Sequence, residues 1–313
     1  MKMCFSPVLL LLLWIAGCGS GGVSNSGTAG GGGGALPTAD HVFLVVLENH
    51  SFSQVIGSSS MPYLNSLASQ NSLATNYFGN VHPSIGNYFM LTTGQIITGN
   101  DAFDGVVPDD NLARALAGAG KSWKAYMQSI PAQGYIGADV LPYVKRHNPF
   151  AFFTDVAGAD GQHATAQAAN IVPLSQLAAD MAASALPNFG FIAPDFNHDA
   201  HQCPDGSSSG CPDSARLATA DMWLRTNIDP LIKSPAFANG VLIVLFDEGD
   251  FSDLANGGGQ VAVVLAGSHV KMGFRSTTFY QHQNVLRLIL DLLKVSDRPG
   301  AAASAASMNE FFQ

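Results

Sequence analysis

The chain has 313 residues, of which 47% are hydrophobic and 12% charged, and its formal net charge is -9. This length and apolar content suit one large domain with a sizeable core better than two small ones. The acidic balance, with Lys and Arg nowhere clustered, argues against a nucleic acid as the natural partner. Small anionic substrates stay compatible with this charge, because a bound metal ion reverses the local field.

Residues 1–18 have the pattern of an export signal. The segment 8–14 is apolar but too short to cross a bilayer, and the Ile-Ala-Gly-Cys sequence at 15–18 resembles a bacterial lipoprotein processing site. We favour lipidation of Cys18 over cleavage of an ordinary secretory signal nearby. The prediction is an exported protein held by lipid at the bacterial cell envelope, or a periplasmic or secreted one if Cys18 carries no lipid.

The segment that follows the signal, residues 19–37, is rich in Gly and Ser and is predicted to be a flexible tether. We place the folded domain at residues 38–298. The Ala-rich segment 299–313 is predicted to be a poorly ordered tail, unless the sequence from Met308 to Phe312 folds back onto the domain.

From residue 41 onward, apolar runs alternate with helical patterns. The predicted strands are Val42–Leu47, Ser122–Met127, Phe189–Ala193, Val241–Phe246 and Val261–Ala266. The predicted helices are Met61–Gln70, Ser84–Thr93, Asn111–Ala119, Pro173–Ala185, Ser214–Ile232 and Tyr280–Leu293. The segments 101–110 and 135–160 have weaker patterns and are predicted to be long loops. This alternation predicts an α/β fold of three layers, α/β/α, with a largely parallel central sheet.

Two cysteines, Cys203 and Cys211, flank a turn-rich loop in the exported part of the chain. Because export leads to an oxidising compartment, we predict a disulfide that closes this loop. A metal site is the weaker interpretation, since structural zinc prefers closer cysteine spacing and further Cys or His ligands.

Polar side chains end two of the most apolar predicted strands. Glu48 and Asn49 follow the first strand, and Asp247 and Glu248 follow the fourth. Strands this apolar are typical of parallel sheets, and such sheets bind ligands at the carboxyl ends of their strands. Oxygen donors of this kind suit a hard divalent ion such as calcium, magnesium or manganese, while nearby histidines leave zinc or iron open.

Ser84 lies where a helix is predicted to begin, and its position has two interpretations. It is either an ordinary N-cap or a nucleophile. A helix N-terminus offers free N–H groups that hold a phosphate and favour a serine alkoxide, and an adjacent metal would lower the hydroxyl pKa further. The position alone does not decide between them.

Histidines and acids cluster after the third predicted strand. Asp195, His198, Asp199 and His201 fall within seven positions, which is more than a solvated loop usually carries. Such side chains ligate metals, bind phosphoryl oxygens or protonate leaving groups. His147, in a long loop, and His282, near the start of the last helix, are weaker candidates by themselves.

These motifs, taken in order, resemble one family. Between His41 and Leu293 the chain shows Glu-Asn-His-Ser-Phe, His-Pro-Ser-x-x-Asn-Tyr, His-Asn-Pro-Phe, Asp-x-His, Asp-Glu-Gly and Tyr-x-His. The ordered set resembles the bacterial acid phosphatase/phospholipase C phosphoesterase family, a branch of the alkaline-phosphatase-like superfamily. Each motif alone is weak, whereas the complete set in this order is specific.

The resemblance implies a role for each matching residue. It implies one divalent metal ion bound by Glu48, Asn49, Asp247, Glu248 and the Ser84 oxygen. It implies that Ser84 is the nucleophile and carries a phosphoserine, and that the other catalytic residues are His147, His201 and Asp199. It implies substrate contacts from His82, Asn87 and His282.

The chain departs from the family pattern at three positions. Gly86 stands where the family often has Pro, and Phe246 replaces a frequent Trp. His198 replaces a common Asn. Together with Asp195 and His201 it forms an Asp-x-x-His-x-x-His sequence, so a second metal ion stays an open alternative.

The leading interpretation is therefore an acid phosphatase acting on phosphate monoesters. Phospholipase C and phosphoinositide phosphatase are the alternatives within this chemistry, and a tethered solute-binding lipoprotein is the alternative from another class. A sulfatase is disfavoured because Ser84 lacks the sequence that becomes formylglycine. An α/β-hydrolase is disfavoured because the chain has no Gly-x-Ser-x-Gly elbow.

Overall fold

A computed structural model describes residues 36–313. The strands are β1 (His41–Leu47), β2 (Ser72–Ala74), β3 (Tyr77–Phe78), β4 (Trp123–Met127), β5 (Ile171–Pro173), β6 (Phe189–Ala193), β7 (Gly240–Phe246), β8 (Val263–Gly267), β9 (Arg275–Ser276) and β10 (Tyr280–Gln281). The α-helices are α1 (Phe52–Val55), α2 (Pro62–Gln70), α3 (Ile85–Thr93), α4 (Leu112–Gly118), α5 (Thr154–Ala157), α6 (Gln176–Ala182), α7 (Asp213–Asn227), α8 (Asp229–Lys233) and α9 (His282–Leu292). Short 3-10 helices lie at Lys145–His147, Pro149–Phe152, Ala166–Asn170, Pro235–Phe237, Gly300–Ala303 and Asn309–Phe311. The predicted signal, the lipidation site Cys18 and nearly all of the tether lie outside the described residues.

The central sheet has eight strands in the order β5-β4-β6-β1-β7-β8-β2-β9. β1 lies between β6 and β7 and is parallel to both, while β8 is antiparallel to its neighbours β7 and β2. All residues of β6 and β7 are buried, which explains why these strands read as continuous apolar runs. Helices flank the sheet, so the predicted fold class, with a largely parallel central sheet, is confirmed. In the described part of the chain, no helix combines the length and apolarity needed to span a bilayer.

All five predicted strands are present, and the differences concern short elements. No sequence pattern predicted five further strands, which have only two or three residues each: β2, β3, β5, β9 and β10. The predicted helix 214–232 is two helices, because Pro230 has no N–H group to continue the hydrogen bonds of α7. The last helix begins at His282 rather than Tyr280, since β10 pairs with β3. The predicted helix from Pro173 begins only at Gln176, since Pro173 ends β5.

Two loop-like segments are more ordered than predicted. The region 135–160 contains two 3-10 helices and α5. The Ala-rich segment 299–313 folds back onto the domain, with Met308, Phe311 and Phe312 buried. Within it, Glu310 accepts hydrogen bonds from Tyr280 and Ser276. The alternative of a folded-back terminus is therefore the one observed.

The predicted disulfide between Cys203 and Cys211 is confirmed. It closes the loop 204–210, directly after the histidine-rich segment that follows β6. The buried Cys203 fixes one end of this loop against the domain.

A glycine in the centre of the sheet gives a stability prediction. A Cβ atom at Gly190 of β6 would overlap the ring of Phe43, which is fully buried and packed against Tyr126 and Phe237. Since the ring has no free space, we expect Gly190→Ala to lower the free energy of unfolding by about 2 kcal/mol. Denaturant unfolding measures this, with Gly118→Ala as the control, because nothing lies within 4 Å of a Cβ at Gly118 of α4. Equal stability of both variants would contradict the described packing.

Candidate active site

Two acidic residues meet at the carboxyl ends of the central strands. β1 and β7 pair up to Leu47 and Phe246, so the next residues, Glu48 and Asp247, lie side by side. The Asp247 N–H donates to the Leu47 carbonyl oxygen at 2.9 Å and continues the ladder by one step. Both carboxyl side chains are completely buried. The predicted juxtaposition of these strand ends is therefore observed.

Asn49 ties the two strand ends together. Its backbone has a φ of 42°, in the left-handed region that Asn tolerates better than most residues. From there its N–H donates to Asp247 Oδ1 at 3.3 Å, and its side-chain amide donates to Glu248 Oε1 at 2.5 Å. The Asn49 amide oxygen lies 2.7 Å from His201 Nδ1. Asn49 thus bridges the acids of β7 and the histidine that follows β6.

Ser84 precedes α3, but its side chain does not cap this helix. The Oγ atom donates to Glu48 Oε2 at 3.0 Å and lies 3.4 Å from Glu248 Oε1. The Ile85 N–H, at the start of the helix, donates instead to the carboxylate of Asp101 at 3.1 Å. The structure therefore contradicts the N-cap interpretation of Ser84 and places its hydroxyl, almost fully buried, between two carboxylates.

His82 and Asn87 hold Glu248 in place from the other side. His82 Nδ1 lies 3.3 Å from Glu248 Oε2, and the Asn87 amide donates to the same oxygen at 3.1 Å. The Asn87 oxygen accepts from the N–H groups of Asn80 and Val81, which fixes the turn that leads to Ser84. The hydrogen bond to Glu248 is the main cause of the raised pKa of His82, which favours its protonated form.

His147 is buried, and both of its ring nitrogens face carboxyl groups of the site. Its Nε2 lies 3.0 Å from Glu48 Oε1, and its Nδ1 lies 3.4 Å from Asp199 Oδ2. The ring stacks on Tyr88, whose hydroxyl donates to Glu48 at 2.8 Å. Burial lowers the pKa of His147 to about 3, so the ring is neutral at physiological pH.

His201 is the more exposed of the two predicted catalytic histidines, with a quarter of its side chain accessible. Besides Asn49, it approaches Glu48 Oε2 at 3.5 Å, and its ring stacks on Phe196 at 4.8 Å between centroids. The Asp199 carboxyl accepts the His201 N–H at 2.8 Å and so shapes this turn. His201 therefore reaches both the acid cluster and solvent.

The acids of this site perturb one another strongly. Burial, followed by repulsion from Glu48, raises the pKa of Asp247 well above its ordinary value. Burial is also the main cause that raises the pKa of Glu248 to about 7. Burial opposes ionisation of Glu48 too, but His147 and His201 outweigh it and lower its pKa to about 2. Three carboxyl groups thus share a small buried volume, where Glu48 is ionised while Asp247 and Glu248 resist ionisation.

The donor set fits a hard divalent cation. In residues 36–313 no Lys or Arg pairs with Glu48, Asp247 or Glu248, and Asp247 Oδ2 is buried without a hydrogen-bond partner. Buried carboxylates normally have a counter-charge, and a cation among oxygen donors supplies one. The described residues form no preset cluster of three or more His, Cys, Asp or Glu ligands. The argument for a metal ion therefore rests on the chemical type of these oxygen donors and not on a preformed ligand geometry.

Two residues considered for the site, His282 and His198, form no hydrogen bond with Ser84 in the described part of the chain. His282 is fully buried, with Nδ1 at 3.0 Å from the Tyr77 hydroxyl and Nε2 at 2.5 Å from the backbone oxygen of Asp247. His198 pairs with Asp195, whose other oxygen accepts from Ser129. His201 points toward Asn49 instead, so the three residues considered for a second metal do not converge.

Four residues of the site were missed by sequence reasoning. Tyr88 lies inside the quoted His-Pro-Ser-x-x-Asn-Tyr motif, so a signal for it existed. Asp101 and Phe196 lie in loops and Arg146 lies in a short 3-10 helix, and the local sequence gives no such signal for them. For Arg146, the one indication in the sequence was its position next to the predicted site residue His147.

Comparisons with known proteins identify the family of this chain. The Phosphoesterase family profile matches residues 58–296. The chain belongs to the Phosphoesterase family. This membership confirms the prediction of a hydrolase that acts on phosphate ester bonds.

Two relatives and one solved structure show how far the similarity extends. A phosphatidylinositol-3-phosphatase of Mycobacterium tuberculosis is 30% identical over 80% of this chain and 76% of that protein. A probable acid phosphatase of Kluyveromyces lactis is 26% identical over 78% of this chain, which spans 56% of that protein's length. A protein of the alkaline phosphatase superfamily from Vibrio parahaemolyticus superposes with a TM-score of 0.60 at 13% identity, over 89% of this chain and 74% of that one. This last similarity concerns the fold alone and agrees with the predicted α/β architecture.

Proposed function

We propose that this protein is a metal-dependent phosphatase that hydrolyses phosphate monoesters through a phosphoserine on Ser84. The observation that carries the proposal is the Ser84 hydroxyl, which is released from helix capping and held between Glu48 and Glu248. A serine at a helix N-terminus, held between two buried acids whose pKa values are shifted in opposite directions, is typical of a nucleophile rather than of a structural cap.

We assign each side chain of the site a separate role in phosphoryl transfer. A divalent ion bound by Glu48, Asn49, Asp247 and Glu248 would neutralise the acids, lower the pKa of the Ser84 hydroxyl and attract the phosphoryl group. Glu48 accepts the hydrogen bond of Ser84 and orients its oxygen. His82 and Asn87 keep Glu248 in place.

The histidines serve the leaving group and the geometry. His201 reaches solvent as well as the acid cluster, so we assign it proton donation to the leaving oxygen. His147 is buried between Glu48 and Asp199, and we assign it a contact with the phosphoryl group from the interior. Because His282 binds the backbone of Asp247, we assign it the positioning of that residue rather than a contact with substrate.

A phosphoinositide is the second candidate substrate. The observation in its favour is the relative named phosphatidylinositol-3-phosphatase, which matches four fifths of this chain. A lipid on Cys18 would hold the active site near such a substrate, and we keep this anchor as part of the proposal.

The substrate class is tested by measuring the turnover of three compounds, each with and without a chelator. These are an aryl phosphate monoester, a phosphoinositide monoester in vesicles and a phosphatidylcholine diester, whose cleavage is followed as released phosphocholine. Chelator-sensitive release from either monoester, restored by adding back a divalent ion, supports the proposal. Cleavage of the diester alone would move the assignment to phospholipase C. Metal binding without any turnover would favour a binding protein.

Metal affinity is expected to weaken as the pH falls. The pKa of Glu248 is about 7, and that of Asp247 is also raised, so at pH 6 the metal-free site holds protons that a cation must displace. We therefore expect metal binding to release protons. For each proton released, the metal affinity should fall by up to about tenfold for every unit by which the pH drops below 7. Calorimetry at pH 6 in two buffers of different ionisation enthalpy measures the release. A pH-independent affinity between pH 5 and 7 would contradict the proposed ligand set.

A further inference from the structure

Arg146 is a largely buried charge next to the site that the steps above do not use. It lies in the 3-10 helix Lys145–His147, directly before His147, and only 17% of its side chain is exposed. Its guanidinium carbon lies 5.0 Å from the centroid of the Phe196 ring. Phe196 in turn stacks on His201, so one aromatic ring supports both the guanidinium and the proposed proton donor.

The guanidinium of Arg146 has few partners for a group with five N–H donors. Its nearest acids in the described residues are Asp101, 3.7 Å from Nε, and Asp139, 3.9 Å from Nη1. Both distances exceed hydrogen-bond length, and the buried Nε has no hydrogen-bond partner among the residues that the structure describes. By contrast, Arg114 is more exposed and donates two hydrogen bonds to Asp155, at 2.9 and 3.1 Å. Arg146 therefore has N–H donors that are available to bind a ligand.

The contacts of Asp101 connect this guanidinium to the nucleophile. One Asp101 oxygen accepts the Ile85 N–H, one residue after Ser84, and the other oxygen faces Arg146. A carboxylate thus lies between a helix N-terminal N–H and a guanidinium. These are two donors that phosphoryl oxygens commonly bind. Burial raises the pKa of Asp101, and the Arg146 charge opposes that shift.

We propose that Arg146 binds the non-bridging oxygens of the phosphoryl group that Ser84 attacks, and that Asp101 occupies this position while substrate is absent. The inference rests on the proposed function and adds a substrate-binding residue to it. A planar guanidinium binds two oxygens of a phosphoryl group at once, which an ammonium group does not. The contact of the guanidinium with the Phe196 ring holds it beside the site before substrate arrives.

The test uses the metal-loaded protein and inorganic phosphate as the probe. Arg146→Met keeps the apolar stem over Phe196 but removes the donors, and Arg146→Lys keeps the charge without the planar group. We expect Arg146→Met to weaken phosphate binding, measured by calorimetry, and to lower kcat/KM for an aryl phosphate by about 10- to 100-fold. Arg146→Lys should recover only part of the loss. Asp101→Asn should bind phosphate more tightly than the wild type, because a competing carboxylate is gone.

The control is Arg225→Ala, which removes an exposed arginine of α7 and should leave phosphate affinity unchanged. Phosphate affinity of Arg146→Met within twofold of the wild type, or an equal loss in Arg225→Ala, would overturn the inference. Weaker phosphate binding by Asp101→Asn would also overturn it, because Asp101 would then support the site rather than occupy it. A wild-type protein that neither binds phosphate nor hydrolyses the monoester would refute the proposed function, and this inference with it.

Discussion

Ser84→Ala is expected to lower kcat for an aryl phosphate by about 10,000-fold or more while the domain stays folded. The substitution removes the attacking oxygen, and nucleophile deletions cost this much in enzymes with covalent intermediates. Stability should change little, because the Ser84 side chain does not cap α3 and loses only a hydrogen bond to Glu48. Steady-state kinetics and thermal unfolding on the same preparation measure the two effects.

Asn111→Ala provides the matched control for Ser84→Ala. Asn111 is a genuine N-cap, whose side chain accepts the Arg114 N–H at 3.0 Å at the start of α4. We expect its removal to cost about 1 kcal/mol of stability and to leave kcat unchanged. The two variants should therefore show opposite patterns. If Ser84→Ala instead lost stability and kept its turnover, Ser84 would be a structural residue.

Asp247→Asn is expected to reverse the effect of metal on stability. Without metal, the variant should unfold at a temperature about 3 °C higher than the wild type at pH 7, because it removes an acid from a buried cluster of acids. With metal, the order should invert, since a ligand that binds only the folded state stabilises it by mass action. We expect metal affinity to fall by at least about 100-fold and turnover to fall with it.

Asp250→Asn is the control in the same segment. Asp250 is partly exposed, and within residues 36–313 its side chain accepts hydrogen bonds only from Ser252. This variant should keep the metal-induced rise in unfolding temperature. An equal loss of the rise in both variants would mean that general negative charge, rather than the site at Asp247, attracts the metal.

The strand ends could be predicted from the sequence because their signal is local. Continuous apolar runs that end in acids place Glu48 and Asp247 at one edge of a parallel sheet, and β1 and β7 are indeed neighbours. The direction of the Ser84 side chain could not be predicted in this way. An N-cap and a nucleophile occupy the same backbone position, and only the contacts with Glu48 and Glu248 separate them.

The remainder of the site depends on contacts between residues far apart in sequence. Tyr88 stacks on His147, and Arg146 lies over Phe196, through loops without a periodic pattern. The C-terminal segment was similarly misleading. Its Ala-rich composition suggests a loose tail, but Phe311 and Phe312 provide enough apolar surface to pack against the domain.

The central claim is that Ser84 carries a phosphoryl group during turnover. The most direct measurement is to quench the metal-loaded enzyme in acid during turnover of an aryl phosphate, digest it, and determine by mass spectrometry which peptide carries phosphate. We expect one phosphoryl group, at Ser84, in the wild type and none in Ser84→Ala. A phosphoryl group on another residue, or rapid turnover with Ser84 unmodified under conditions where dephosphorylation is slow, would contradict this account.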